Sequence, residues 1–225
     1  MIRAKLFPYS FASNWEDLQK MLDSARYTNE EFRGIKINDY SKKKIKATYY
    51  EKIIYTEKID DPVNGIIELD RYTFFSTSFI IYSNHIILII NPSRRASTII
   101  TYLLSKTKLQ FTVSDCKLNI ISTTNMLNTL FEKFMTVKIS YNQFNISDSL
   151  KCTMSLASSK DVQEAIKCIN INLPQIPSKL CFTALFLGMP IRGEIHENGT
   201  VAISHPSYEV ILDKIASRRE DIFKE

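Results

Sequence analysis

A chain of 225 residues allows one domain or two small ones, and it can bury a core without disulfide or metal staples. Its 44% hydrophobic and 24% charged residues are those of an ordinary globular protein, and its net charge of +5 suits an acidic or polyanionic partner without requiring one. The five glycines form no G-x-G-x-x-G or G-x-x-x-x-G-K pattern, which argues against phosphate-cradling loops, and no cofactor is expected.

No stretch approaches the roughly 20 apolar residues of a bilayer helix. The most apolar runs, Phe79 to Tyr82 and Ile86 to Ile90, are separated by Ser83, Asn84 and His85. At the N-terminus Arg3 and Lys5 alternate with Ile2, Ala4 and Leu6, unlike a signal peptide. The expected location is cytoplasmic, with no membrane partner. Cys116, Cys152, Cys168 and Cys181 are widely and irregularly spaced, without a C-x-x-C pair, and read as reduced core thiols.

In chain order, residues 2–7 alternate as a short strand. Ser13-Asn14-Trp15-Glu16 reads as a capping box opening a helix with Trp15, Leu18, Leu22 and Ala25 as its apolar stripe. Ile45 to Glu57 reads as a long strand, Asp60 to Gly65 as a turn, and Ile66 to Arg71 as the returning strand. Tyr72 to Ser83 and His85 to Ile90 read as two further strands, the second apolar on both faces and so central. Asn91-Pro92-Ser93 starts a helix carrying Ile99, Ile100, Leu103 and Leu104. A less regular strand region spans 111–121, and the spacing of Met126, Leu127, Leu130, Phe131 and Phe134 predicts another helix.

Strands around Val137–Tyr141 and Leu150–Leu156 precede a helix bearing Val162, Ala165 and Ile166. Leu173-Pro174-Gln175-Ile176-Pro177 reads as a stiff linker. The last unit begins at Leu180 and contains a hairpin around Asn198-Gly199. A three-residue loop with Gly199 left-handed, pairing Ile195 with Ile203, is preferred over a two-residue turn pairing Ile195 with Ala202. Pro206 opens the last helix.

Three segments, near 72–107, 137–170 and 180–217, thus share the order strand, strand, helix. They predict a single α+β domain over 1–225, with a candidate sub-boundary near 171–178. Its sheet is expected to be mainly antiparallel, built from consecutive strand–strand–helix units with helices packed on one face.

No catalytic constellation is evident. His85, His196 and His205 form no metal-ligand pattern, no serine lies in G-x-S-x-G, and no metal site is expected. Asp115-x-Lys117 and Glu68-x-Asp70 are the fragments from which a magnesium-dependent nuclease or toxin would be built, with Asp70, Asp115 and Lys117 as its residues.

Two basic features suggest nucleic acid. Lys42, Lys43, Lys44 and Lys46 precede Tyr49, Tyr50, Lys52 and Tyr55, which pairs phosphate-neutralising cations with rings able to stack on bases. Arg94 and Arg95 occupy the first turn of a helix, against its dipole, where a bound phosphate would compensate. The abundance of Ile, Lys and Asn suggests an AT-rich gene such as mobile bacterial islands carry. The expected function is a non-catalytic binding or adaptor subunit of a bacterial multi-protein system, phage defence among them. Its partners would be proteins in a hetero-complex, with DNA or RNA at the basic patches. The alternatives are the nuclease and a purely protein-binding scaffold.

Overall fold

The structure is a computed structural model, and it describes all residues except 29, 93–95, 108–109, 148–149, 168–176 and 224–225. The elements run β1 (Ile2–Phe11), α1 (Trp15–Ser24), β2 (Arg33–Tyr40), β3 (Lys44–Asp61), β4 (Gly65–Tyr82), β5 (Ile86–Ile90) and α2 (Ala96–Lys106). They continue with β6 (Phe111–Val113), α3 (Ile120–Leu130), β7 (Glu132–Ser147), β8 (Leu150–Ala157) and α4 (Val162–Lys167). The last are β9 (Lys179–Phe186), β10 (Met189–His196), β11 (Thr200–Ile203), α5 (Tyr208–Ala216) and α6 (Arg219–Ile222).

Among the described residues, eleven strands belong to one mostly antiparallel sheet, and about twice as many residues lie in strands as in helices. The expected α+β arrangement of strand–strand–helix units with helices on one face is therefore wrong, because the sheet dominates. The physical reason lies in the strands. Ile66–Arg71 and Tyr72–Ser83, read as separate strands, are one strand of 18 residues paired along its length with another of 18. The helices are short, 11 residues at most, and α4 has only six. No helix among the described residues is long and apolar enough to cross a membrane.

The chain divides into two compact units, one of residues 1–9, 86–91 and 113–225, the other of residues 10–85 and 92–112. In the first, β1 lies between β5 and β11, and β11, β10, β9, β7 and β8 follow in order. Ile86, Ile87, Leu88 and Ile89 are all fully buried. Alternation is absent in β5 because both of its faces are covered.

Two local readings change here. The helix predicted to carry Phe131 and Phe134 ends at Leu130. These rings share a side because the β7–β9 register shifts between Glu132 and Met135, where Lys133 has φ 49°. The bulge reproduces the i, i+3 spacing of a helix, and Phe131, Phe134 and Phe182 stack, with centroids 5.2 to 6.5 Å apart.

The final hairpin has neither proposed register: Ile195 pairs with Val201 and Gly193 with Ile203. Gly199 is left-handed, φ 83°, as expected. The loop is one residue earlier because the Glu197 backbone is engaged elsewhere. Its N–H donates to Ser178 O at 2.9 Å, and its carbonyl accepts from Leu118 N at 2.7 Å. The capping box also moves by one residue, since the Asn14 side chain, not Ser13, accepts the Asp17 N–H.

A charged cluster on β9 and β10 makes this unit acid-sensitive. Lys179 Nζ lies 2.7 Å from the Glu194 carboxylate, with His196 Nε2 3.6 Å from the same group. The hydrogen bond from Lys179 holds the Glu194 carboxyl below its ordinary value. Burial, and then Lys179, hold His196 below its ordinary 6.5. Each group favours the charge state it has at neutral pH. That stability is present above the ordinary values and is lost as pH falls, first below 6.5 at His196, then below 4.5 at Glu194. The urea midpoint should therefore drop on acidification. His196→Asn should flatten the upper part of the fall alone. Lys179→Met should flatten the lower part and lessen the upper, because Lys179 acts on both groups, and a midpoint that rises toward acid contradicts the assignment.

Candidate nucleic-acid interface

The second unit contains β2, β3 and β4, and the period of two along β3 divides its residues between faces. Ile45, Ala47, Tyr49 and Glu51 are buried on one face, where the Tyr49 ring meets Tyr102 of α2 at 5.3 Å. Lys44, Lys46, Thr48, Tyr50 and Lys52 point to the other and are only half-buried.

Strand pairing extends this second face. Lys52 lies opposite Phe74, and Ile54 opposite Tyr72. On the other side, Thr48 lies opposite Lys36 and Tyr50 opposite Gly34. The chain leaving α1 then passes over Gly34, with Tyr27 N donating to Ile35 O at 3.0 Å and Ile35 N to Ala25 O at 2.9 Å. An ideal Cβ on Gly34 would overlap the Tyr27 backbone, so only glycine permits this approach.

The result is a cluster of four rings. Tyr27 is 6.0 Å from both Tyr50 and Phe74, and Tyr72 is 5.8 Å from Phe74, nearly edge-on. Tyr72 and Phe74 remain 62% and 51% exposed, so the cluster is surface and not core. Beside it is a hollow of about 650 Å³ lined by Arg26, Tyr27, Ile35, Lys36, Ile37, Tyr50 and Phe74. Lys52 Nζ sits 4.5 Å from the Tyr72 ring centroid, Lys36 is exposed, and Arg26 is held by Asp23 at 2.7 Å. Lys46 lies opposite Asp39. An exposed aromatic platform bordered by cations can stack on planar π systems and neutralise anions.

The basic residues singled out from the sequence divide accordingly. Lys44 and Lys46 lie on this face. Lys42 and Lys43 are exposed in the turn before β3, where the Ser41 hydroxyl accepts the N–H groups of Lys43 and Lys44. Tyr50 and Lys52 share the face, while Tyr49 is core and Tyr55 projects from the opposite side of the ribbon. Arg94 and Arg95 lie outside the described residues, as do Cys168 and most of the predicted linker. Sequence reasoning missed Tyr27, Lys36, Tyr72 and Phe74. Phe74 is 24 positions from Tyr50 in sequence, and only the continuous pairing of β3 with β4 brings them together.

The residues proposed for a nuclease are otherwise engaged or dispersed. Asp70 accepts the Thr56 hydroxyl at 3.1 Å and Glu68 pairs with Lys58 at 2.7 Å, both on the β3–β4 ribbon. Asp115 and Lys117 belong to the other compact unit. Among the described residues, no group of three or more His, Cys, Asp or Glu side chains is placed to hold a metal ion. The Cys116 thiol is raised to about 12 by burial, which keeps it protonated at neutral pH. His205 helps cap its segment, Nδ1 accepting the Ser207 N–H at 3.0 Å.

No family model matches the chain, and no curated protein matches it.

Proposed function

We propose that this chain is a non-catalytic binding subunit whose basic, aromatic sheet face takes single-stranded nucleic acid. Its setting would be a bacterial multi-protein system, and composition suggests phage defence as one. The observation that carries the reading is the exposed contact of Tyr27, Tyr50, Tyr72 and Phe74, drawn from three separate stretches of chain, beside Lys36, Lys46 and Lys52. Such rings also stabilise a sheet as cross-strand neighbours, but Tyr72 and Phe74 keep more than half of their surface open to solvent, where a base can reach them. Every base has a π face, so stacking on them is sequence-tolerant, and the lysines answer the phosphates. A duplex keeps its bases stacked on each other and gains only the electrostatic part.

Fluorescence anisotropy with labelled oligo-dT, oligo-U and a duplex of equal length tests this at low salt. Single strands should bind more tightly than the duplex. Phe74→Ala should weaken single-strand binding about tenfold, since stacking is worth about 1–3 kcal/mol per base. It should leave the salt dependence unchanged. Lys36→Ala with Lys52→Ala should instead flatten the plot of log affinity against log salt, by about 0.7 for each phosphate no longer neutralised. Absence of binding, or equal affinity for the duplex, would sink the proposal.

A further inference from the structure

Beyond Glu51, β3 loses its pairing with β2, whose register begins at Arg33 opposite Glu51. From Lys52–Phe74 to Asp61–Gly65 the β3–β4 pair continues as an arm of two strands, without a register shift. At about 3.4 Å per residue it is about 34 Å long. A two-stranded ribbon is marginal in water unless something covers a face. This one nevertheless exposes Ile54, Tyr55, Ile59, Val63, Ile66, Leu69 and Tyr72 by 39% to 87%. It carries none of the bulges or mid-strand prolines that blunt such elements elsewhere.

A groove of nucleic acid is the wrong occupant. Along the arm, Glu57, Asp60, Asp61, Glu68 and Asp70 outnumber Lys52, Lys58 and Arg71. The face opposite the aromatic platform has a different character. Its successive rows are Ile53 with Thr73, Tyr55 with Arg71, Glu57 with Leu69, and Ile59 with Ile67. Within these four rows the charges are Arg71 and Glu57, one of each sign, joined at 2.9 Å. Asp61, at the tip of the same face, is turned to the loop, where its carboxylate accepts the Val63 and Asn64 N–H groups.

This order is self-complementary. A two-fold axis between the second and third rows, with two arms antiparallel and face to face, sets each Tyr55–Arg71 row against a Glu57–Leu69 row. The same axis sets Ile53 against Ile59 and Ile67. Both contacts occur twice, as an isologous interface requires. We infer that this face of the arm binds a second copy of the chain, leaving the aromatic platform on the other face uncovered. Two such faces hide on the order of 1,000 Å² in total, the low end for a specific interface. The dimer is therefore weak and concentration-dependent. It is independent of the nucleic-acid reading, because it uses the other face.

Sedimentation velocity across a concentration series tests it. Wild type should pass from monomer to dimer in the range of about 10–500 µM. Glu57→Arg and Arg71→Glu should each weaken association about tenfold or more, since each sets like charges together across the axis. Mixing the two variants restores opposite charges between copies while leaving like charges within each arm. The mixture should therefore regain the dimer that neither variant forms alone. Tyr55→Ser, which changes no charge, should also weaken it, and circular dichroism confirms that each variant is folded. A wild type that stays monomeric overturns the inference. So does a folded pair of charge variants that fails to associate on mixing, or a Tyr55→Ser protein that dimerises as wild type does.

Discussion

Gly199→Ala is expected to destabilise the protein by about 3–4 kcal/mol, against about 1 kcal/mol for Gly65→Ala. Both glycines are left-handed, with φ 83° and 74°, so backbone strain is common to the two substitutions. Their surroundings differ. A Cβ at Gly65 meets nothing within 4 Å, whereas one at Gly199 falls 2.5 Å from Cys116 Sγ and 2.7 Å from Leu6 O. Neither neighbour can retreat easily. Leu6 lies in the doubly paired β1 and donates its N–H to Gly199 O at 3.0 Å, and Cys116 is 7% exposed. Urea unfolding of the two variants gives the difference. Adding Cys116→Ala to Gly199→Ala should recover about 1 kcal/mol or more by vacating the sulfur's space. Equal losses at the two positions would mean that strain alone matters and the packing argument is wrong.

The same hairpin shows how far the sequence could be read. Asn198-Gly199 announces the turn because glycine is the residue that adopts positive φ without penalty, and that much is local chemistry. The register is not local. It depends on the Glu197 backbone being held by Ser178 and Leu118, residues 19 and 79 positions away. Phe131 and Phe134 teach a related lesson, since a bulge imitates helical spacing and periodicity alone cannot separate the two.

The candidate face was legible by halves. Lysines and tyrosines along β3 could be seen, and alternation could have separated Tyr50 from Tyr49. Which rings from other strands join Tyr50 could not be seen, because the pairing of β3 with β2 and β4 is set by topology and not by the local pattern. The exposure of the arm was hidden for the same reason. Ile53, Ile54, Tyr55, Ile66, Ile67 and Leu69 have the composition of a buried strand pair, and only the topology places them beyond the reach of β2.

Gly34→Ala should separate the platform from its lysines. The Cβ it adds would overlap the backbone of Tyr27, and backbone cannot turn aside as a side chain can. The segment carrying Arg26 and Tyr27 must lift, which strains or breaks the bonds from Tyr27 N to Ile35 O and from Ile35 N to Ala25 O. The expected cost is about 2–4 kcal/mol, overpacking and broken hydrogen bonds together. Tyr27 then leaves its place beside Tyr50 and Phe74, while Lys36, Lys46 and Lys52 stay on their strands. If the rings stack on bases, single-strand affinity falls about tenfold with its salt dependence unchanged. If the lysines alone hold the strand, affinity stays within about twofold of wild type despite the lower stability, because phosphate neutralisation includes no stacking contribution. Thermal unfolding and anisotropy on one preparation separate the two effects. The stacking reading requires both to move, with Phe74→Ala moving affinity the same way at a smaller cost to stability, because its ring is half exposed.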